Sequence, residues 1–229
     1  MLAGMFASRG GGGGGGIDPH FANVVSLAHF NGTNGSTTIT DQVLSNWTAA
    51  VNCTISTAQS RFGGASVINP GESGSYVESP ISASLTLGTG DFTIEFWLYG
   101  TISGTDIVMD CRPVSTQGAY PVLYYVGTTL HYYVNSANQI TGTASLSDAT
   151  WMHIAVCRAS GITKLFVNGT QVGSDWSDST DYANTSFRLA NGRFTTGNPI
   201  DGYIDDFRVT KFARYTANFT PPSAQFPDS

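Results

Sequence analysis

From His20 onward the chain is a succession of short runs in which apolar and polar residues alternate, separated by Gly, Asn, Ser and Pro. Asp91–Gly100 is the plainest: Phe92, Ile94, Phe96 and Leu98 fall on one face, and Thr93, Glu95, Trp97 and Tyr99 on the other. A period of two with aromatic bulk predicts a half-buried strand. Asn23–Phe30, Asp106–Cys111, Val122–Val126 and Thr129–Asn135 predict further strands, the last two joined by a tight turn at Gly127-Thr128. In Trp151–Ser174, strands over Met152–Arg158 and Ile162–Val167 flank an Ala-Ser-Gly turn. A third, Thr170–Gly173, follows Asn168-Gly169, a strong type I′ hairpin signal. Gly202–Lys211 alternates too, but Ile204, Phe207 and Val209 break parity, which predicts a bulge near Asp205-Asp206. Prolines at 221, 222 and 227 deny the tail a central strand and predict an extended path across the surface. Many short strands between turn residues mean an all-β, antiparallel two-sheet sandwich.

Composition agrees. Glu occurs at only three positions (72, 78, 95) and Lys at two (164, 211), too few to solvate helix faces. The net charge of −6, with Arg scattered, excludes the basic patch that nucleic acid requires. No apolar run reaches membrane-spanning length. Three widely spaced cysteines, Cys53, Cys111 and Cys157, predict buried free thiols rather than a disulfide framework. Seven glycosylation sequons (Asn31, Asn34, Asn46, Asn52, Asn168, Asn184, Asn218) matter only in a eukaryotic secretory chain. Met1–Arg9 lacks the apolar core of a signal peptide, so synthesis in a reducing cytosol without export by the usual secretory route is expected.

Residues 1–19 form a separate arm containing seven consecutive glycines, Gly10–Gly16, and residues 20–229 form the sandwich. Such a run is a flexible tether, or an anchor once a neighbouring subunit fixes it. It is no phosphate loop, because no Lys-Ser/Thr follows it.

Several motifs occur in a familiar order: Phe30–Thr38 (FNGTNGSTT), Arg61–Ser66 (RFGGAS), Thr89–Trp97 (TGDFTIEFW), Trp151–Ala155 (WMHIA), Lys164–Gly169 (KLFVNG), and Gly202–Thr210 (GYIDDFRVT) followed by Ala213–Pro222 (ARYTANFTPP). Together they resemble the laminin-G-like, concanavalin A-like domains found in phage structural and tail-fibre proteins. The resemblance implies a jelly-roll sandwich that binds glycans or proteins, with catalysis only in some relatives. It implies a virion component in a multi-copy assembly, anchored to other virion proteins by the arm, or an adhesin for host glycans. Some relatives hold calcium through acidic loop residues, which here would engage Asp41 and Asp205. Asn31 and Asn34 stand where relatives often carry Asp, so no metal or other cofactor is expected.

Glycoside hydrolysis needs two positioned carboxylates. Glu95 has no acidic partner at 93 or 97 and reads as a solvated strand carboxylate, or a sugar contact beside Trp97 on a concave face. Asp205 and Asp206 are adjacent and point to opposite faces unless a bulge intervenes. One is expected to bond backbone, the other to face solvent or pair with Arg208. No catalytic residue is expected, and a cryptic hydrolase is a minor alternative. His153 reads as a structural histidine within an apolar strand. Tyr120, Tyr124, Tyr125, His131, Tyr132 and Tyr133 form an aromatic-rich stretch, half of it consigned to the core by alternation.

Overall fold

The structure is a computed structural model and describes residues 16–146, 150–194 and 197–229. The heptaglycine expectation therefore lies almost wholly outside the described residues. Fifteen strands follow in chain order: β1 (Val24–Ala28), β2 (Thr48–Ala50), β3 (Thr54–Ser56), β4 (Ser66–Pro70), β5 (Tyr76–Glu78), β6 (Phe92–Thr101), β7 (Thr105–Asp110), β8 (Val122–Val126), β9 (Thr129–Val134), β10 (Ala137–Thr143), β11 (Met152–Ala159), β12 (Ile162–Val167), β13 (Thr170–Ser177), β14 (Arg188–Leu189) and β15 (Asp201–Thr210). They form two antiparallel sheets. The eight-stranded one runs β13-β12-β11-β6-β15-β4-β3, with β1 also on β15, and the seven-stranded one runs β10-β9-β8-β7-β14-β5-β2. Among the described residues, helix is limited to two short 3₁₀ turns, and no helix is long and apolar enough to cross a membrane.

Alternation fills the space between the sheets. Phe92, Ile94, Phe96 and Leu98 of β6 and Ile204, Phe207 and Val209 of β15 face Leu123, Tyr125, Leu130 and Tyr132 of β8 and β9. The expected bulge is present. Asp205 pairs with Trp97 and Arg208 with Glu95, so two residues of β15 oppose Phe96 alone; the extra one, Asp206, has φ 50°. The Asn168-Gly169 hairpin is also as expected, with both residues at positive φ. Gly169 has a second duty: its carbonyl accepts the Phe219 N–H at 2.9 Å, and a β-carbon there would collide with the Phe219 carbonyl.

The C-terminal segment crosses the outer face of the eight-stranded sheet. Arg214 N–H donates to Thr93 Oγ1 (2.9 Å), Phe226 N–H donates to Asp206 Oδ2 (2.8 Å), and the Asp18 N–H closes on the Ser229 carbonyl (2.8 Å). Tyr215 and Phe219 stack at 3.6 Å above Phe166, Ala155 and Cys157. This cover changes the fate of the polar side of β6. Glu95 and Trp97, expected on an accessible face, are buried at 0% and 3% exposure. The solvated or sugar-contacting reading of Glu95 is thus overturned, because alternation assigns a face but cannot show what lies on it.

Asp18 belongs to the same layer. It is buried, and its carboxylate accepts from Arg208 and from both Nη atoms of Arg214. A deletion ending at Gly16 spares these bonds. Removal of residues 1–16 is expected to leave the melting temperature within about 2 °C of the full chain, since the segment is glycine-rich and the buried Asp18 and its ion pairs are retained. Differential scanning calorimetry of the two forms checks this.

Candidate functional site

Among the described residues, no segment like the C-terminal one crosses the outer face of the seven-stranded sheet. Strand register sets its side chains in rows. One row runs Thr48, Glu78, Arg188, Asp110, Val122, Tyr133, Asn138, and a second Ile107, Tyr124, His131, Thr141. Residues directly opposite on neighbouring strands share a face. The aromatic stretch divides as alternation requires, with Tyr125 and Tyr132 in the core and Tyr124, His131 and Tyr133 half-exposed on this face.

Tyr124 and His131 stack, with ring centroids 4.8 Å apart and planes 18° from parallel. Burial pulls the His131 imidazole below its ordinary pKa, so the ring is neutral at pH 7; its Nδ1 lies 3.0 Å from Thr141 Oγ1. Tyr124 donates to Asn138 Oδ1 (2.7 Å), and Tyr133 to Gln117 Oε1 (3.4 Å). Arg112 stands between the rings of Tyr133 and Phe194, its Cζ 5.7 and 5.1 Å from their centroids. Two parallel bonds to Asp110, Nε to Oδ1 at 2.9 Å and Nη2 to Oδ2 at 2.7 Å, fix its plane. Tyr124, Tyr133 and Arg112, with Thr105, border a depression of about 180 Å³ floored by Ile107 and Val122.

Two carboxylates, Glu78 and Asp110, occupy one row on either side of Arg188. Glu78 receives Nε and Nη2 of Arg188 (2.9 and 2.7 Å) and also pairs with Arg193. Asp110 holds Arg112 and the backbone N–H of Arg193 (2.8 Å). Sequence reasoning passed over Glu78, Asp110, Arg112, Arg188 and Arg193. The available signal was charge inside or beside strands of a chain with few charges.

Other expected site residues resolve as structural. Asp41 accepts five hydrogen bonds, from the backbone of Leu27, Val43 and Leu44, from Ser26 Oγ and from Trp47 Nε1. Asp205 receives the backbone N–H groups of Arg61 and Phe62 at 2.6 and 3.0 Å. Asp41 and Asp205 thus serve different loops, and no group of three or more His, Cys, Asp or Glu among the described residues is arranged to hold a metal. Asp205 is thus the backbone-bonding aspartate, but the expectation that the other faces solvent or pairs with Arg208 is overturned: Asp206 is buried and bonds His29 Nδ1 at 2.6 Å, and His29 Nε2 meets Asp228 at 2.6 Å. Arg208 goes instead to Glu95 and Asp18. His153 is fully buried, with Nε2 3.2 Å from Glu95 Oε2 but out of line for a hydrogen bond, and its ring is enclosed by Trp97, Phe219 and Phe226. The three cysteines are buried and free.

The fold and these motifs define a jelly-roll lectin-like domain. The family model of the concanavalin A-like lectin/glucanases superfamily, of laminin-G type, matches residues 71–217, and the chain belongs to that superfamily. No curated protein sequence matches the chain. Among solved structures it is similar to domain 4 of AbnA, a GH43 extracellular arabinanase of Geobacillus stearothermophilus in complex with arabinotriose (15% identity, TM-score 0.63, 83% of this chain and 93% of that one). It is also similar to Trypanosoma rangeli sialidase (11%, 0.63, 85% and 32%) and to the binding domain of Paraclostridial mosquitocidal protein 1 (16%, 0.59, 85% and 50%). The chain therefore spans about a third of the sialidase and half of that binding-domain chain. At these identities the likeness is one of fold.

Proposed function

We propose that the chain is a non-enzymatic carbohydrate-binding module whose sugar surface is the open face of the seven-stranded sheet. The observation that carries this is the aromatic cluster of Tyr124, stacked on His131, and Tyr133, which stands at 75° to Tyr124 with ring centroids 6.2 Å apart; both tyrosines are half-exposed and line a shallow depression. Flat aromatic faces stack on the apolar face of a sugar ring, and the fixed polar groups of Arg112, Asn138 and Thr141 around them suit its hydroxyls. Domain 4 of the arabinanase, solved with arabinotriose, supports the reading by analogy. Against hydrolysis stands the occupation of Glu78 and Asp110 by arginines, since a general acid must keep its proton at the scissile bond. The motif resemblance to phage structural proteins supplies the setting: an attachment component, present in many copies, in which weak sites add through avidity.

Affinity electrophoresis in gels containing soluble polysaccharides tests the reading. Tyr124→Ala and Tyr133→Ala are each expected to weaken retention about tenfold, the equivalent of a lost stacking contact, with no change in melting temperature beyond about 3 °C. Retention unaffected by either variant would place sugar binding elsewhere. Release of new reducing ends, abolished by Glu78→Gln or Asp110→Asn, would overturn the non-enzymatic assignment.

A further inference from the structure

The eight-stranded sheet carries a second aromatic row where its C-terminal cover ends. Tyr203 of β15 lies directly opposite Tyr99 of β6. Met152 pairs with Leu98, so Trp151 arrives beside Tyr99 from the other side. The ring centroids are 5.7 Å apart for Tyr99 and Tyr203 and 5.4 Å for Tyr99 and Trp151. These residues come from three distant stretches of sequence, and only the register makes them neighbours. The tail's contacts run over Thr93, Phe166, Gly169 and Asp206, and all three aromatic rings remain half-exposed.

Next to the row is a crease of about 210 Å³ bordered by Tyr99, Gly100, Thr101, Asp201, Gly202 and Tyr203. Gly100 and Gly202 are cross-strand partners, and neither has room for a β-carbon against the other's strand. Two side-chain-free positions facing one another bring β6 and β15 into close approach. Cross-strand packing accounts for the ring contacts. It does not account for the polar groups gathered at the same edge. The exposed carboxylate of Asp201 and the polar ends of the half-exposed Tyr99, Tyr203 and Trp151 all stand at this edge. Among the described residues that border the crease, Asp201 alone is charged.

We propose that this crease and the aromatic row beside it form a second carbohydrate site, on the sheet opposite the first, that takes a neutral hexose unit. The ring's apolar face lies on Trp151 and Tyr99, its hydroxyls donate to Asp201, and the tyrosine hydroxyls complete the polar contacts. A lone carboxylate complements hydroxyl donors and repels sialic or uronic acids. The site shares no residue with the platform of the seven-stranded sheet, so it stands or falls separately. With both sites occupied the domain is bivalent and bridges glycan chains.

Affinity electrophoresis with a dextran, a galactan and a mannan decides the matter, using the full chain and a Tyr124→Ala/Tyr133→Ala background. Retention by at least one of these is expected to persist in the background, and Trp151→Ala or Asp201→Asn is expected to weaken it about tenfold there. Asp201→Asn changes one exposed charge, so its effect cannot come from misfolding; thermal melting of each variant confirms the fold. If the background abolishes retention while Trp151→Ala and Asp201→Asn leave it intact in the full chain, the second site is refuted and the first stands. If the background binds as the full chain does and Trp151→Ala abolishes binding, the first site is refuted and the second stands. Retention by none of the three overturns the hexose site.

Discussion

Replacing Glu95 by leucine is expected to destabilise the domain by about 3–5 kcal/mol, the usual result of stranding a buried charge. Glu95 is fully buried and accepts Nε and Nη2 of Arg208 (3.0 and 2.7 Å) and the Tyr215 hydroxyl (2.8 Å). Burial alone would raise its pKa; the Arg208 guanidinium, with His153 and Tyr215, overrides that and holds it at about 2. Leucine would leave Arg208 with Asp18 as its remaining ion-pair partner, at 3.1 Å, and Tyr215 with no acceptor. Domains of this kind are stable by only about 5–15 kcal/mol in all, so a third or more would be lost. Urea unfolding at pH 7 measures the change. The variant should also expose the tail, making the chain cleavable by trypsin at Arg214, whose guanidinium is now held by Asp18 and Thr210. The double change Glu95→Leu/Arg208→Met should recover most of the loss, because removing both charges of a buried pair is often neutral. A single-variant cost under about 1 kcal/mol would show that packing of Tyr215, Phe219 and Phe226 holds the tail without the ion pairs.

That network marks the boundary of what the sequence makes legible. β8, β9 and β12 begin and end within a residue of the alternating runs that predict them, because each has one face in the core. The hairpin at Asn168-Gly169 and the bulge at Asp206 were equally legible, the first from turn chemistry and the second from broken parity. β10, ANQITGT, was not. As an edge strand with one buried aliphatic, Ile140, it lacks the aromatic and β-branched density that marks a strand. Glu95 failed for a different reason: the tail that buries it lies more than a hundred residues away and shows no periodicity. Its signal was the trio Tyr215, Phe219 and Phe226, large apolar groups in a proline-containing segment that would otherwise meet water. The platform was half legible, since alternation separates Tyr124 and Tyr133 from Tyr125 and Tyr132. The charged row Glu78–Arg188–Asp110 spans three strands that are remote in sequence and requires the register.

The bulge predicts an opposite dependence on pH from that of Glu95. Burial raises the Asp205 carboxyl to about 7 even though the N–H groups of Phe62 and Arg61 pull it down, and Oδ1 has no partner. In the unfolded chain the same group ionises near 3.8. The folded form therefore keeps a proton that the unfolded form has released, and this contribution to stability is complete below pH 3.8 and lost as pH climbs to about 7. His29 adds to the trend. Burial opposes its proton, but Asp206 and Asp228 outweigh burial and raise its pKa above 6.5, so its contribution fades as pH rises through that raised value. Asp206 is also raised, chiefly by burial. Glu95 and Asp18, both lowered, act in the other direction and lose their contribution as pH falls through their depressed values. Stability should peak near pH 4, where the gains from Glu95 and Asp18 meet the losses from Asp205 and Asp206, and decline toward 7.5, each unit of raised pKa being worth about 1.4 kcal/mol. Asp205→Asn keeps an oxygen for the Arg61 and Phe62 N–H groups and has nothing to ionise. It is expected to be about 1–3 kcal/mol more stable than the native chain at pH 7.5 and no more stable at pH 4.5. Urea midpoints from pH 4 to 9 for both forms provide the measurement. Parallel curves would mean that Asp205 is ionised in the fold at neutral pH, and that its two backbone N–H bonds outweigh its burial.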